Sequence, residues 1–320
     1  MVKKPKKHWR EHLRFDQYFL IFTVSLFFLV YPGENKYTQT PLVNAVGAVV
    51  DSLPEFEPSL LPQKKSWLPD PEVSARAAYI YEPDAGLVLY DKNANQKLAP
   101  ASTTKLITAL VALDYYQLDD VIEVRGLATD GKTMELFYGE RMSVENLLYG
   151  ALVHSANDAA FVLADNYPGG VDAFVIKMNE KGKELGLENS SFANPIGYDH
   201  PDQYVTARDL AILGLYVLNN PTLAHMVGTK AITVADASYT YFHDLATVNE
   251  LLGEIPGVAG VKTGFTAEAG ENLVTTVSRN GQKVMLVVLG SKDRFADTRV
   301  LIDWVFNGFE WSPIQSTLDQ

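Results

Sequence analysis

The chain has 320 residues, of which 47% are hydrophobic and 21% are charged, so its apolar content can bury a sizeable core in one large domain or two smaller ones. Its formal net charge of −12 argues against nucleic acid as the main partner, because phosphate binding needs a basic patch. The absence of cysteine from the sequence excludes disulfides, thiolate metal sites and cysteine nucleophiles.

The N-terminal segment combines a basic cluster with an apolar run. Residues 1–14 carry six basic side chains and one acidic one, which leaves a net charge of −17 on residues 15–320. The uncharged run 18–31 follows, and it is short for a membrane span of about 20 residues. Basic residues before such a run place the N-terminus in the cytoplasm and send the following chain across the membrane. We therefore expect residues 1–31 to be a signal anchor, or alternatively a cleaved signal peptide, with an extracytoplasmic domain held at the cell membrane.

The next segment is rich in proline. Proline removes a backbone donor and disfavours helix in the residue before it. We therefore expect a tether over residues 32–72, with a short helix over 43–53 as the exception. Its seven prolines are Pro32, Pro41, Pro54, Pro58, Pro62, Pro69 and Pro71.

From about residue 73 the pattern is that of a globular domain, which we place at 73–312 and follow with a short tail, 313–320. Strands are predicted over 77–82, 87–91, 121–124, 273–277 and 284–289. Helices are predicted over 102–116, 144–167 with a break near 154–158, 171–185, 207–218 and 297–306. Asn280-Gly281, between the last two strands, is a strong hairpin signal.

The order of these elements indicates the fold class. Most of the strands lie towards the two ends of the domain and the helices fill its middle, so strands from distant parts of the chain must meet in one sheet. The prediction is an α+β fold, with a mostly antiparallel sheet flanked by helices and an inserted helical subdomain.

The first chemical motif is Ser102-Thr103-Thr104-Lys105 at the start of a predicted helix. Residues i and i+3 lie on one helix face, so Lys105 can reach the hydroxyl of Ser102. A serine needs a base to become an effective nucleophile, and lysine acts as a base only when neutral, which requires a depressed pKa. Taken alone, the motif also fits an N-cap serine followed by a solvated lysine.

Two further motifs follow along the chain, Ser155-Ala156-Asn157 and Lys262-Thr263-Gly264. At a helix break, Ser155 can relay a proton to a leaving amine and Asn157 can donate to a substrate amide carbonyl. On an edge strand, Lys262 can supply positive charge and Thr263 can bind a carboxylate, while Gly264 leaves room for substrate along the strand. Each motif alone also fits an ordinary cap or turn.

Together the three motifs are specific, because Ser-x-x-Lys, Ser-x-Asn and Lys-Thr-Gly form the signature of penicillin-binding proteins and class A β-lactamases. From about residue 75 to residue 310 the chain resembles the D-alanyl-D-alanine carboxypeptidases of the low-molecular-mass penicillin-binding protein family, which have a β-lactamase/transpeptidase-like fold. The segments that carry the resemblance are 99–105, 154–160, 192–197 with His200, 206–211 and 260–266.

The resemblance implies a serine-type D-Ala-D-Ala carboxypeptidase. Such an enzyme removes the terminal D-alanine of peptidoglycan stem peptides through a Ser102 acyl-enzyme, with Lys105 as the base, and β-lactam antibiotics acylate the same serine. It implies no cofactor and no metal. The implied catalytic residues are Ser102, Lys105 and Ser155, and the implied substrate-binding residues are Asn157, Lys262, Thr263, Gly264 and Phe265. The oxyanion hole would consist of the backbone N–H groups of Ser102 and Phe265.

One departure and three alternatives accompany this interpretation. Many relatives carry an arginine or a second Thr-Asn just before the Leu-Leu pair that precedes the third motif. Residues 246–252 contain no arginine, and Arg294 is the alternative partner for a carboxylate. The alternatives are a β-lactamase, a D,D-endopeptidase of the same fold, and a non-catalytic cell-wall binding protein.

A phosphate-loop pattern also occurs in the sequence. Residues 126–133 match it letter for letter, but the segment that follows, 134–139, is short and ends in glycine instead of opening an apolar helix. We therefore interpret the match as accidental.

Overall fold

The computed structural model describes residues 60–313. The predictions for residues 1–31, for most of the tether including its helix over 43–53, and for residues 314–320 lie outside this range.

Within the described residues the chain forms eleven strands and seven α-helices. The strands are β1 (Leu60–Lys64), β2 (Ala77–Glu82), β3 (Leu87–Lys92), β4 (Val121–Glu123), β5 (Arg141–Ser143), β6 (Ala231–Ala235), β7 (Phe242–Ala246), β8 (Val258–Thr266), β9 (Gly270–Arg279), β10 (Gln282–Ser291) and β11 (Phe309–Pro313). The helices are α1 (Lys105–Tyr115), α2 (Val144–Leu152), α3 (Asn157–Asp165), α4 (Gly170–Glu184), α5 (Ala207–Asn219), α6 (Pro221–Val227) and α7 (Arg294–Gly308), and a 3₁₀ turn (Ala101–Thr104) precedes α1.

The main sheet has five antiparallel strands in the order β3-β2-β10-β9-β8. Strands from the start and the end of the domain therefore meet in one sheet, which confirms the predicted α+β class. The hairpin between β9 and β10 turns at Asn280 and Gly281, both of which have positive φ, as a two-residue hairpin turn requires. The strand β8 lies at one edge of this sheet.

Both faces of the sheet are covered, and β10 shows why its sequence is continuously apolar. Its side chains alternate between two cores because successive residues of a strand point to opposite faces. Met285 and Val287 pack with helices α1 to α5, whereas Leu286 and Val288 pack with α7 on the other face. A strand that is buried on both faces reads as an unbroken hydrophobic run.

The helical region lies between β3 and β6 along the chain. The predicted break in the helix over 144–167 is confirmed, because α2 ends at Leu152 and α3 begins at Asn157. The helix predicted to begin at Ser102 instead opens with the 3₁₀ turn.

The helix predicted over 207–218 is followed directly by α6, which the sequence analysis did not predict. The side chain of Asn220 accepts hydrogen bonds from the backbone N–H groups of Thr222 and Leu223, and Pro221 occupies the first turn of α6. Asparagine at the N-cap and proline at the first position favour the start of a helix. The chain therefore bends and begins α6 at the same point.

The prediction of a tether over residues 32–72 is wrong for its C-terminal part, because β1 forms a strand there and pairs with β11. Leu60 pairs with Pro313 at one end of this ladder, and Lys64 pairs with Phe309 at the other. Pro62 lies in β1, in a two-stranded sheet where each strand has an open edge. Proline is tolerated there because an edge position does not need its backbone donor.

No single helix among residues 60–313 is both long and apolar enough to cross a membrane, and the pair α5 and α6 reaches that length only across a bend of 109°.

Candidate active site

The first centre of the site is a serine–lysine pair at the start of α1. Ser102 lies in the 3₁₀ turn, next to Ala101, whose φ of +49° is unusual for a residue other than glycine. Lys105 is fully buried. Its Nζ atom lies 2.9 Å from Ser102 Oγ, 2.6 Å from Asn157 Oδ1 and 2.9 Å from the carbonyl oxygen of Ile196.

The three contacts are compatible with a neutral Lys105. Burial lowers the pKa of Lys105 to about 7, although the nearby carboxylate of Asp158 acts in the opposite direction. A neutral amine has two N–H donors and one lone pair. The oxygens of Asn157 and Ile196 can only accept, so they take the two donors. The lone pair then faces Ser102, whose hydroxyl can donate to it.

A second serine–lysine pair lies in the same site. Ser155 follows α2 in the helix break, with a φ of +63°, and Lys262 lies in β8. Lys262 Nζ donates to Ser155 Oγ at 2.7 Å and to the carbonyl oxygen of Thr263 at 3.0 Å. Burial, followed by the charges of Lys105, Arg294 and Lys132, holds the pKa of Lys262 well below its usual value.

Asn157 connects the first pair to the segment between β4 and β5. Its Oδ1 accepts from Lys105, and its Nδ2 donates to the carbonyl oxygen of Asp130 at 2.7 Å. A primary amide has two N–H groups, so one donor remains for a substrate.

The edge strand β8 packs closely against the turn that carries Ser102. A Cβ atom at Gly264 would lie 3.0 Å from both the carbonyl oxygen of Pro100 and the backbone nitrogen of Ser102. The lack of a side chain at Gly264 therefore lets the strand approach the serine, in addition to leaving space for a ligand. Alternate backbone groups of an edge strand have no neighbouring strand to bond, so they are available to a ligand.

Two asparagines that the sequence analysis did not single out hold this geometry. Asn272 Nδ2 donates to the carbonyl oxygens of Ala99 and Pro100 at 3.0 and 3.1 Å, which ties the serine turn to β9. Asn194 Oδ1 accepts from the backbone of Gly197 at 2.8 Å and of Tyr198 at 3.0 Å. This bent loop presents the carbonyl of Ile196 to Lys105. The segment 192–197 was among the matching segments, but nothing in its sequence indicated a role.

All eight residues implied by the resemblance meet around one cavity of about 320 Å³. Six of them line it, and the two buried lysines form hydrogen bonds to its two serines. The lining six are Ser102, Ser155, Asn157, Thr263, Gly264 and Phe265. Phe265 is 64% exposed at the rim. Arg294 also lines the cavity, and its Nη1 donates to the carbonyl oxygen of Gly264 at 3.0 Å.

The phosphate-loop pattern has a different place in the structure. Residues 126–133 do not open a helix, because the chain runs from β4 to β5 without one. Instead, Gly131 and Lys132 line the same cavity as the two serines. The segment is thus a wall of the site.

Comparisons with known proteins give a consistent result. A family model described as D-alanyl-D-alanine carboxypeptidase matches residues 64–293. The D-alanyl-D-alanine carboxypeptidase DacF of Bacillus subtilis is 36% identical over 250 residues, which cover 75% of this chain. The chain spans 64% of the length of that relative.

Two solved structures are similar over the described domain. The Streptomyces K15 DD-transpeptidase is 31% identical with a TM-score of 0.71, covering 75% of this chain and all 100% of its own. The ampicillin-bound penicillin-binding protein D2 of Listeria monocytogenes is 30% identical with a TM-score of 0.66, covering 74% of this chain and 100% of its own.

Proposed function

The chain belongs to the D-alanyl-D-alanine carboxypeptidase family, and on that premise we propose that it is a serine-type enzyme that removes the terminal D-alanine from peptidoglycan stem peptides. The observation that carries the proposal is the fully buried Lys105, with its Nζ atom 2.9 Å from Ser102 Oγ and its two donors held by oxygens that can only accept. A lysine held in this way accepts the proton of Ser102 as the hydroxyl attacks.

The first step forms the acyl-enzyme. Ser102 Oγ attacks the carbonyl carbon of the penultimate D-alanine, and its proton moves to Lys105 Nζ. The negative charge that develops on the carbonyl oxygen is stabilised by the backbone N–H groups of Ser102 and Phe265. The close packing of Gly264 on the serine turn supports this pairing of donors.

The second step expels the terminal D-alanine. The bond from the carbonyl carbon to the amide nitrogen breaks, and the leaving amine takes a proton from Ser155 Oγ, which Lys262 Nζ replaces. The 2.7 Å contact between Ser155 and Lys262 supports this relay. Water then attacks the carbonyl carbon of the Ser102 ester and gives up a proton, which passes through Ser155 to Lys262. The ester bond breaks as Lys105 returns its proton to Ser102 Oγ, which releases the shortened peptide and restores both serine–lysine pairs.

Binding of the substrate uses both ends of the cavity. The remaining donor of Asn157 holds an amide carbonyl of the peptide, and Thr263 lies beside its terminal carboxylate. Arg294 adds positive charge on the β8 side.

β-Lactam antibiotics acylate the same serine in this proposal, since a strained cyclic amide enters where the scissile amide lies. The ampicillin-bound structure of the Listeria relative supports this. The leaving nitrogen of a β-lactam stays attached to the adduct, so the adduct persists.

The test is intact-mass spectrometry of the full chain after incubation with benzylpenicillin, beside Ser102→Ala. We expect one acyl adduct on the wild type, none on the variant, and release of D-alanine from a D-Ala-D-Ala peptide by the wild type alone. A wild type that shows no adduct, even at the earliest times, contradicts the proposal and favours a non-catalytic wall-binding protein. Rapid turnover of nitrocefin indicates a β-lactamase, and cleavage of cross-linked peptides in preference to D-alanine release indicates an endopeptidase.

We further propose that the enzyme acts outside the cytoplasm, at the cell membrane. The basic cluster in residues 1–14 and the apolar run 18–31 support this placement. Protease treatment of intact spheroplasts should digest the domain, and deletion of residues 1–31 should leave the protein in the cytoplasm. Protection of the domain from protease contradicts this placement.

A further inference from the structure

The segment between β4 and β5 forms a fixed wall of the active-site cavity. The carbonyl oxygen of Asp130 accepts hydrogen bonds from Asn157 Nδ2 at 2.7 Å and from the hydroxyl of Tyr198 at 2.8 Å. The carbonyl oxygen of Lys132 accepts from the backbone N–H of Asn157 at 2.7 Å. The backbone on both sides of Gly131 is therefore tied to the same elements that position Lys105.

Lys132 presents an unpaired positive charge from this wall. Its side chain is exposed and lines the cavity, and within residues 60–313 it makes no ion pair with a carboxylate. Lys132 lines the same cavity as Ser155. Its charge lowers the pKa of His154 after burial, and it lowers the pKa of Lys262 after burial and two other basic groups.

The charge around the cavity fits an anion. Two cations line it from different walls, Lys132 from the segment between β4 and β5 and Arg294 from the start of α7, and none of the described lining side chains is acidic. The stretch 246–252, which has no arginine, contributes only the apolar Val248 to the lining. A positive cavity on a body with a net charge of −17 over residues 15–320 selects for a negative group at this place.

We propose that Lys132 is a specificity-determining residue that binds the C-terminal carboxylate of the substrate peptide, across the cavity from Thr263. This inference rests on the proposed carboxypeptidase function, which places that carboxylate beside Thr263 and on the leaving D-alanine, whose amine Ser155 protonates. Lys132 touches no reacting atom, so it acts on binding of the substrate and leaves the chemical steps to the two serine–lysine pairs.

The experiment compares Lys132→Gln with the wild type on diacetyl-L-lysyl-D-alanyl-D-alanine, whose only charge is its C-terminal carboxylate. We expect kcat/KM for D-alanine release to fall by about fivefold, mainly through KM, as for the loss of a largely exposed ion pair. Lys132→Arg should restore most of the loss. Raising the salt concentration should lower the wild-type value towards that of the variant, because salt screens an exposed pair. Lys283→Gln, in β10, is the matched control.

Four results overturn the inference. One is an unchanged kcat/KM in Lys132→Gln, and another is an equal loss at low and high salt that arginine does not restore, which would mark a structural role. The third is a loss confined to peptides with a second carboxylate on the third stem residue. In these three cases benzylpenicillin still forms its adduct with Ser102, so the proposed function stands. The fourth, no adduct on the wild type, overturns the proposed function and this inference together.

Discussion

The two lysines of the active-site cavity each contact a serine hydroxyl, but their remaining surroundings differ. Lys105 also contacts the side-chain oxygen of Asn157 and the carbonyl of Ile196, and burial lowers its pKa to about 7. Lys262 has one further acceptor, the carbonyl of Thr263, and its pKa is lowered first by burial and then by three neighbouring basic side chains. Two serine–lysine pairs therefore serve different steps in the proposed reaction, one accepting a proton and the other supplying one, because the neighbours of each amine set its pKa.

The largest effect should follow from removal of the first amine. Lys105→Met keeps a flexible side chain of similar length in a fully buried place but cannot accept a proton. We expect acylation by benzylpenicillin to slow by about 10³–10⁴-fold, the upper range for a positioned acid or base. Rapid-quench mass spectrometry measures the rate, and thermal unfolding checks the fold. A loss below tenfold would show that another group takes the proton of Ser102.

A smaller loss is expected at the second amine. Lys262→Met should slow D-alanine release by about 10²-fold, the lower range for such a group, because Ser155 remains as a direct donor. Lys262→Arg separates charge from proton transfer, since arginine keeps the charge but does not give up its proton. Steady-state assays of D-alanine release compare the two variants. If arginine restores the wild-type rate, Lys262 acts by charge alone and the relay is wrong.

The smallest effect is a dependence on pH that belongs to Lys105. The active form is the neutral amine, so the rate rises with pH and levels off above the pKa. With a pKa of about 7, the neutral fraction rises from roughly one tenth at pH 6 to roughly nine tenths at pH 8. The second-order rate of acylation by benzylpenicillin, at constant ionic strength, should rise about tenfold over this range. A rate that does not rise between pH 6 and pH 7 contradicts a neutral Lys105 as the base.

Contacts between neighbours in the chain were predictable from the sequence. The spacing of Ser102 and Lys105 placed the lysine at the serine, and the helix break near 154–158 placed Ser155 and Asn157 at the end of an element. The pairing of Lys262 with Ser155 joins residues 107 positions apart, which no local spacing in the sequence indicates. The antiparallel sheet followed from the order of strands and helices.

The sequence did not predict the backbone groups that the site uses. The carbonyl of Ile196 is an acceptor that any residue type supplies, so no letter of the sequence marks it. Asn272 acts through contacts with Ala99 and Pro100, more than 170 positions away. The strand at Leu60–Lys64 was missed because its proline suggested a linker, and only its pairing with β11 shows why proline is tolerated there.

The pairing of β1 with β11 also determines how the domain responds to mechanical tension. Leu60 pairs with Pro313, so the chain enters and leaves the described domain about 5 Å apart, one strand spacing. Tension between these two points pulls an antiparallel ladder open from its end, breaking its hydrogen bonds one after another rather than all at once. This two-stranded sheet shares no strand with the five-stranded sheet that carries Lys262. A modest pull therefore unzips β1 from β11 first, and the cavity keeps its shape until that ladder has opened.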